Sequence, residues 1–98
     1  MTVKVIAFVS TKPGQEEAFI AAAQTCAVAS RAEPGVLYYQ IWRETDGERR
    51  FVFNELYVDT AAVTAHMASD HFNAFGRAAA DFAAAPPVII SCEAVDLG

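Results

Sequence analysis

The alternation of apolar and polar residues along the chain predicts four β-strands. Each is a short run rich in β-branched and aromatic side chains, with turn-forming residues at its ends. The four runs are residues 3–10, 36–43, 50–57 and 88–95. Pro13-Gly14 follows the first run and Pro86-Pro87 precedes the last, so both runs have a clear boundary.

Apolar residues at helical spacing predict a helix between the first two strands. The stripe on this helix consists of Phe19, Ala22, Ala23, Cys26 and Ser30. Glu16 and Glu17 lie in its first turn, where the helix dipole favours anions, and Pro34-Gly35 ends it.

The segment between the third and fourth strands predicts two helical pieces. Asp59 or Thr60 can cap a short first piece that carries Val63, His66 and Met67. Ser69-Asp70 then forms a new N-cap for a longer piece. The apolar stripe of that piece is Phe72, Phe75, Gly76, Ala79, Phe82 and Ala83.

Asp46-Gly47 predicts a hairpin between the second and third strands, since this dipeptide favours a two-residue turn. Such a turn pairs Glu44 with Arg49, Trp42 with Phe51, Gln40 with Phe53 and Tyr38 with Glu55. It also places Arg43 opposite Arg50, which is unfavourable. One face then carries Tyr38, Gln40, Trp42, Phe51, Phe53, Glu55 and Tyr57. The other face carries Leu37, Tyr39, Ile41, Val52 and Leu56.

The order βαββαβ predicts a single α+β domain over residues 1–98, of ferredoxin-like topology. Its four-stranded antiparallel sheet has both helical layers on one face, so the other face stays uncovered. Of the residues, 54% are hydrophobic, above the ~45 to 50% of typical soluble domains. We therefore expect two copies to pack sheet against sheet as a homodimer.

The net charge of −5, with only seven Lys and Arg, argues against nucleic acid or an anionic membrane as a partner. Lys4 interrupts the first apolar run, which is too short to cross a bilayer, so we expect a cytoplasmic protein. Cys26 and Cys92 have no metal-binding spacing and are interpreted as core thiols. A small, largely uncharged ligand fits this composition.

The face that carries Glu55 is the chemically unusual part of the sequence. A carboxyl among aromatic residues is either hydrogen-bonded or raised in pKa; it can serve proton transfer or a purely structural network. His66 shares a stripe with Val63 and Met67 and should point inward. His71 lies five residues later, about 140° away on one ideal helix, so we expect no metal site.

Two segments resemble a known family. Glu55-Leu56-Tyr57, followed by the run from His66 to Phe72, resembles the E-x-W and H-x-x-S-x-H-F pattern of the antibiotic biosynthesis monooxygenase domain family. The resemblance implies a dimeric α+β barrel that oxidises quinols or anthrone-type polyketides with O2, without metal or flavin. Tyr57 replaces the family's tryptophan. Strand one has Ile6, Ala7 and Phe8 where haem-degrading relatives carry asparagine, so haem degradation is not expected.

Three functional hypotheses follow. The first is a cofactor-independent monooxygenase acting on a small aromatic quinol or polyketide and O2, with His66, Glu55 and His71 as catalytic residues. The substrate-binding candidates are Tyr57, Trp42, Phe53, Tyr38, Gln40 and Phe75. The second hypothesis is a proton-transfer isomerase, which needs the same acid and base groups. The third is a non-catalytic binding or stress-response module, favoured if Trp42, Phe53 and Phe75 fill the pocket.

Overall fold

Seven elements make up the chain in a computed structural model that describes residues 1–47 and 49–98. They are β1 (Val3–Ser10), α1 (Glu16–Arg31), β2 (Val36–Arg43), β3 (Arg50–Tyr57), α2 (Thr60–Met67), α3 (Asp70–Phe82) and β4 (Val88–Cys92). The strands form one antiparallel sheet in the order β2-β3-β1-β4. The predicted α+β fold of ferredoxin-like topology is confirmed for one copy of the chain. Within the described residues, no helix has both the length and the apolar character needed to cross a membrane.

The starts of α2 and α3 follow the predicted caps. The Asp59 side chain accepts a hydrogen bond from the backbone N–H of Ala62 at 2.8 Å. The Ser69 hydroxyl oxygen accepts one from the backbone N–H of Phe72 at 3.2 Å. Each cap satisfies a donor that the first helical turn leaves free. The two caps also separate α2 from α3, so the chain changes direction after Ala68.

The last strand is shorter than predicted. Residues 88–95 were expected to be extended and paired, but β4 ends at Cys92, opposite Lys4 of β1. Since β1 itself begins at Val3, only one strand residue lies beyond Lys4, which is too few to pair residues 93–95. The prediction was wrong for the last three residues because a strand needs a ladder as well as β propensity.

The predicted hairpin register is wrong by one residue. The observed pairs are Tyr38 with Leu56, Gln40 with Asn54, and Trp42 with Val52. The Glu44 backbone N–H donates to the Arg50 carbonyl at 3.0 Å, and Arg50 Nε lies 2.8 Å from Glu44 Oε2. The loop between Glu44 and Arg50 is therefore longer than a two-residue turn. One extra position reverses which side chains of β2 face the helices.

One face of the sheet, the covered face, lies under the helices. It carries Val5, Ala7, Val9, Tyr39, Phe51, Phe53, Glu55 and Tyr57, all buried. Phe19 of α1 stacks on Phe51 with ring centroids 4.3 Å apart and makes edge contacts with Phe75 and Phe82 of α3. This aromatic cluster joins α1 and α3 to the sheet.

The opposite face, the outer face, has no helix on it among the described residues. It carries Lys4, Ile6, Phe8, Tyr38, Gln40, Trp42, Val52, Asn54, Leu56, Val88 and Ile90. Val52 and Leu56 were expected on this face. Tyr39 and Ile41 were also expected here, but the register shift places both against the core. Leu37 lies at an irregularity of the ladder between Val36 and Tyr38.

Candidate active site

A cavity of about 270 Å³ lies between the covered face and the helices α2 and α3. Most of its wall is apolar: Val5, Ala7, Val9, Phe53, Val63, Met67, Phe72, Phe75, Gly76, Ala79, Ala83, Pro87 and Ile89. The polar members of the lining are Tyr39, Glu55, Tyr57, His66 and Ser91. Glu55, Tyr57 and His66 contact one another, so acid and base groups are concentrated in one part of an otherwise apolar space.

Glu55 places a carboxyl in the interior of the protein, at 5% exposure. The Tyr57 hydroxyl donates a short hydrogen bond to Glu55 Oε1. Burial raises the pKa of Glu55 to about 7; the bond from Tyr57 opposes the rise, and the charge of Glu33 adds to it. Near neutral pH this carboxyl is thus present in both protonation states, as an acid-base group requires.

His66 connects the cavity to a second carboxylate. The residue is 2% exposed, and its Nδ1 lies 2.8 Å from Glu33 Oε2. Its Nε2 lies 4.0 Å from Glu55 Oε1. The rings of Tyr39 and Tyr57 pack beside the imidazole, with centroids 5.6 and 5.5 Å away. The inward orientation predicted from the helical stripe is confirmed.

His71 lies in the first turn of α3, outside the cavity lining, with its side chain 22% exposed. Its Nε2 lies 2.7 Å from Glu33 Oε2, the same oxygen that contacts His66. The two imidazole centroids are 5.8 Å apart. The expectation that these histidines diverge was wrong because it placed them on one helix, whereas the break after Ala68 turns both towards Glu33.

Glu33, His66 and His71 are also the one group of described residues that could hold a metal ion, since their ligand atoms lie within 4.8 Å of one another. Two nitrogens and a carboxylate oxygen suit zinc and similar divalent ions. Here the Glu33 oxygen itself lies within hydrogen-bond distance of both nitrogens. The same contacts also suit a carboxylate that accepts hydrogen bonds from both imidazole rings.

Sequence reasoning missed Glu33. It follows α1, whose last residue is Arg31 and whose C-cap is Ala32. A carboxylate just past a helix C-terminus opposes the helix dipole, which favours cations there. That unfavourable placement was the signal in the sequence, because a carboxylate at the negative end of a helix dipole needs a compensating partner. The two histidines supply it.

Sequence reasoning also missed Tyr39, which the hairpin register had placed on the wrong face. Tyr39 lines the cavity, and its hydroxyl lies 3.7 Å from Cys26 Sγ. Burial raises the pKa of Tyr39 above its ordinary value, so the hydroxyl stays protonated. A hairpin loop one residue longer than the two-residue turn would have placed Tyr39 on the same face as Glu55.

Of the predicted substrate-binding residues, Tyr57, Phe53 and Phe75 line the cavity. Tyr38, Gln40 and Trp42 do not, because they lie on the outer face. There the Lys4 ammonium donates to the Tyr38 hydroxyl and to Asn54 Oδ1, both at 2.5 Å. Gln40 Oε1 accepts from Asn54 and from the Trp42 indole. The prediction that these three residues share a face with Glu55 was wrong, because the register differs by one residue.

Comparison with known sequences gives one family match and two related proteins. The family model "Antibiotic biosynthesis monooxygenase" matches residues 2–78. The chain is 31% identical over 87 residues to "Putative monooxygenase YcnE" of Bacillus subtilis, covering 89% of this chain and 92% of that protein. It is 32% identical over 81 residues to "Uncharacterized protein sll1783" of Synechocystis sp., covering 83% of this chain. The match covers 55% of that second relative, so the chain spans about half its length.

Solved structures with the same fold include two described as putative antibiotic biosynthesis monooxygenases. The protein from Caulobacter crescentus superposes with a TM-score of 0.92 at 30% identity, covering 97% of this chain and 91% of that one. The protein from Nitrosomonas europaea gives a TM-score of 0.91 at 26% identity, covering 96% and 90%. The similarity extends over nearly the whole domain.

Proposed function

Because the chain belongs to the antibiotic biosynthesis monooxygenase family, we propose that it is a monooxygenase that oxidises a small aromatic quinol or polyketide with O2 and needs no bound cofactor. One observation carries the proposal: in an apolar cavity, His66 Nε2 lies 4.0 Å from Glu55 Oε1. Deprotonation of a phenolic substrate gives an electron-rich anion that can reduce O2 directly. The site supplies the base and excludes water from the reacting anion.

His66 is the proposed base. Its Nε2 takes the proton of the substrate hydroxyl, and the resulting carbanion form of the ring bonds to O2 at carbon. The peroxide anion takes that proton back from His66. His66 then removes the hydrogen left on the same carbon as a proton, the C–H electrons form the C=O bond, and the O–O bond breaks. One oxygen stays on the carbon, and the hydroxide that leaves takes the second proton from His66 to form water. The protons balance within one turnover, so His66 ends as it began.

Glu55, oriented by Tyr57, is the proposed hydrogen-bond donor to the developing peroxide. Burial raises the pKa of Glu55 to about 7, so its neutral form is available near neutral pH. A protonated carboxyl in an apolar site can donate a hydrogen bond to an oxyanion. Tyr57 holds Glu55 through its hydroxyl, which fixes the carboxyl orientation.

The cavity wall favours a flat aromatic substrate. Phe53 and Phe75 contact each other with ring centroids 5.6 Å apart and border the open space. Trp42 lies on the outer face and does not fill the cavity, so the condition that favoured a non-catalytic binder is not met. Apolar walls with few polar groups are typical of small-molecule sites.

We also propose a homodimer formed through the outer face. Trp42, Val88 and Ile90 are at least 45% exposed there, and Phe8, Val52 and Leu56 lie beside them on the same face. An exposed apolar sheet of this kind is stable in water when a second apolar surface covers it. Another copy of this chain offers the matching surface across a two-fold axis.

The test is oxygen uptake by metal-depleted protein with a panel of hydroquinone, 1,4-naphthoquinol and anthrone. The expected result is uptake above the spontaneous rate, with one oxygen atom of 18O2 in the product. Turnover without oxygen consumption would favour an isomerase instead. Binding without turnover of any of the three, measured by calorimetry, would contradict the oxygenase. The Glu17→Gln variant, which changes an exposed carboxyl on α1, is the matched control for Glu55→Gln.

A further inference from the structure

We propose that Glu33 is a positioning residue that fixes His66 in the tautomer with a proton on Nδ1 and a free lone pair on Nε2. In this role His71 holds the Glu33 carboxylate in place. The tautomer itself follows from the contacts of His66. Its catalytic consequence rests on the proposed function, because only a base in the cavity needs a free Nε2.

Glu33 contacts both histidines. Glu33 Oε2 lies 2.8 Å from His66 Nδ1 and 2.7 Å from His71 Nε2. A carboxylate oxygen only accepts hydrogen bonds, so each of these nitrogens carries its proton. A neutral imidazole has one N–H, so Nε2 of His66 is then the acceptor. The two bonds come from α2 and α3, on either side of the carboxylate.

Glu55 and two tyrosines lie beside the imidazole of His66. Glu55 Oε1 is 4.0 Å away, beyond hydrogen-bond distance. The Tyr57 hydroxyl donates to Glu55, and the Tyr39 hydroxyl lies beside Cys26 Sγ. No hydrogen bond joins either tyrosine to Nε2, and His66 lines the cavity, so the Nε2 lone pair is available there. A substrate hydroxyl can reach it there without displacing an existing bond.

The turn after α1 holds Glu33 beside α2. The Gly35 carbonyl accepts from the backbone N–H of Val58 at 2.9 Å, which ties the turn after α1 to the end of β3. A Cβ on Gly35 would overlap the Ala62 side chain, so only glycine allows this approach to α2. Ala62 and His66 are four residues apart, on the same side of that helix. The close approach of this turn to α2 therefore places Glu33 beside the imidazole of His66.

The direct test measures the tautomer and needs no substrate. Protein with 15N-labelled histidine is studied by long-range proton–nitrogen correlation at a pH where His66 is neutral. We expect the Nδ1–H form of His66 in the unmodified protein. In Glu33→Gln the amide N–H can donate to Nδ1, which favours the Nε2–H form instead. Unchanged His66 signals in Glu33→Gln would overturn the proposal.

Catalysis gives the second readout, with the quinol that the unmodified protein oxidises fastest. We expect Glu33→Gln to lower kcat by about 10²-fold or more with little change in KM, as loss of a correctly oriented base does. Glu33→Asp keeps the carboxylate and should restore part of the rate and the original tautomer. If Glu33→Gln does not fold, Glu33→Ala carries the tautomer test, because it also removes the carboxylate that accepts from His66 Nδ1. An unchanged kcat in folded Glu33→Gln overturns the catalytic consequence.

His71→Ala and a metal titration complete the design. We expect His71→Ala to leave His66 mainly in the Nδ1–H form and to lower kcat less than Glu33→Gln does. Zn²⁺ is titrated into metal-depleted protein by calorimetry. Micromolar or tighter binding that is lost in both Glu33→Gln and His71→Ala would overturn the proposal, because the cluster would then be a metal site. If no tested quinol is oxidised, the proposed function fails, while the tautomer result still decides the role of Glu33.

Discussion

His66 Nδ1 lies 2.8 Å from Glu33 Oε2, although 33 positions separate the two residues in the chain. With His71, they join the turn after α1 to both α2 and α3. The same contacts therefore support the packing around the cavity and orient its proposed base. Substitutions at this cluster need a folding measurement beside every rate measurement.

The His66→Ala variant is expected to lose about 10² to 10⁴ in the rate of oxygen uptake, since it removes the proposed general base. Circular dichroism should show a retained fold, because the aromatic cluster around Phe19 is untouched. Glu17→Gln should keep the rate of the unmodified protein. A folded His66→Ala variant with an unchanged rate would move the chemistry away from this cavity.

The pH dependence of stability should reveal the buried carboxyl of Glu55. Burial raises its pKa from the ordinary value of 4.5 to about 7. The unfolded chain thus releases this proton at a lower pH than the folded chain does. The contribution of Glu55 protonation to the free energy of unfolding is therefore fully present below about pH 4.5. This contribution, about 3 kcal/mol, is lost as the pH rises through about 7.

The Gln side chain of Glu55→Gln cannot ionise, so the variant should not lose this contribution between about pH 4.5 and pH 8. We therefore expect its free energy of unfolding to rise relative to that of the unmodified protein over this range. Urea denaturation at both pH values measures this difference. Glu17→Gln controls for removal of one carboxyl at an exposed position. A difference that stays constant with pH would show that Glu55 is not held in its neutral form by burial.

Two glycines should respond in opposite ways to the same substitution. In Gly35→Ala the new Cβ overlaps Ala62, so we expect a loss of about 1 to 3 kcal/mol in the free energy of unfolding. In Gly76→Ala, within α3, the new Cβ meets nothing within 4 Å. We expect a gain of about 0.5 to 1 kcal/mol there, since alanine is the better helix former.

Urea denaturation of both glycine variants decides this pair of predictions. Gly35→Ala should also shift the His66 imidazole signals, because it moves Glu33 away from α2. If Gly35→Ala were as stable as the unmodified protein, the close approach of the turn to Ala62 would not be required.

Leu56→Asp should weaken the proposed dimer, because it replaces a buried apolar side chain at the interface by a carboxylate that must lose its water, even with Lys4 as its cross-strand neighbour. Light scattering at micromolar concentration is expected to give twice the chain mass for the unmodified protein and a lower mass for the variant. Glu17→Gln, on the helix side of the sheet, should leave the mass unchanged. A Leu56→Asp protein with the full dimer mass would place the interface elsewhere.

The sequence by itself determined the elements and most of their ends. The predicted bounds of β1, β2 and β3 match the structure, and Asp59 and Ser69 cap α2 and α3 as expected. These features are local: a cap acts over three residues, and strand or helix periodicity is visible within a few turns. The inward position of His66 also followed from its local stripe.

The tertiary structure alone decided which faces of β2 and β3 share the cavity. The sequence contained a warning, since the two-residue turn paired Arg43 with Arg50. In the structure Glu44 pairs with Arg50, which removes that repulsion. Side chains alternate between the two faces of a strand. A hairpin loop longer by one residue therefore places Tyr39, and no longer its neighbour Tyr38, on the covered face. Loop length is set by the packing of the whole sheet.

The tertiary structure also decided that Glu33, His66 and His71 meet. Their contacts span 33 and 38 positions and come from three different elements. No periodicity within one helix can place them together, because the angle between α2 and α3 and the approach of Gly35 to Ala62 set the distance. Local patterns specify elements, whereas the relative placement of elements depends on packing between residues far apart in the chain.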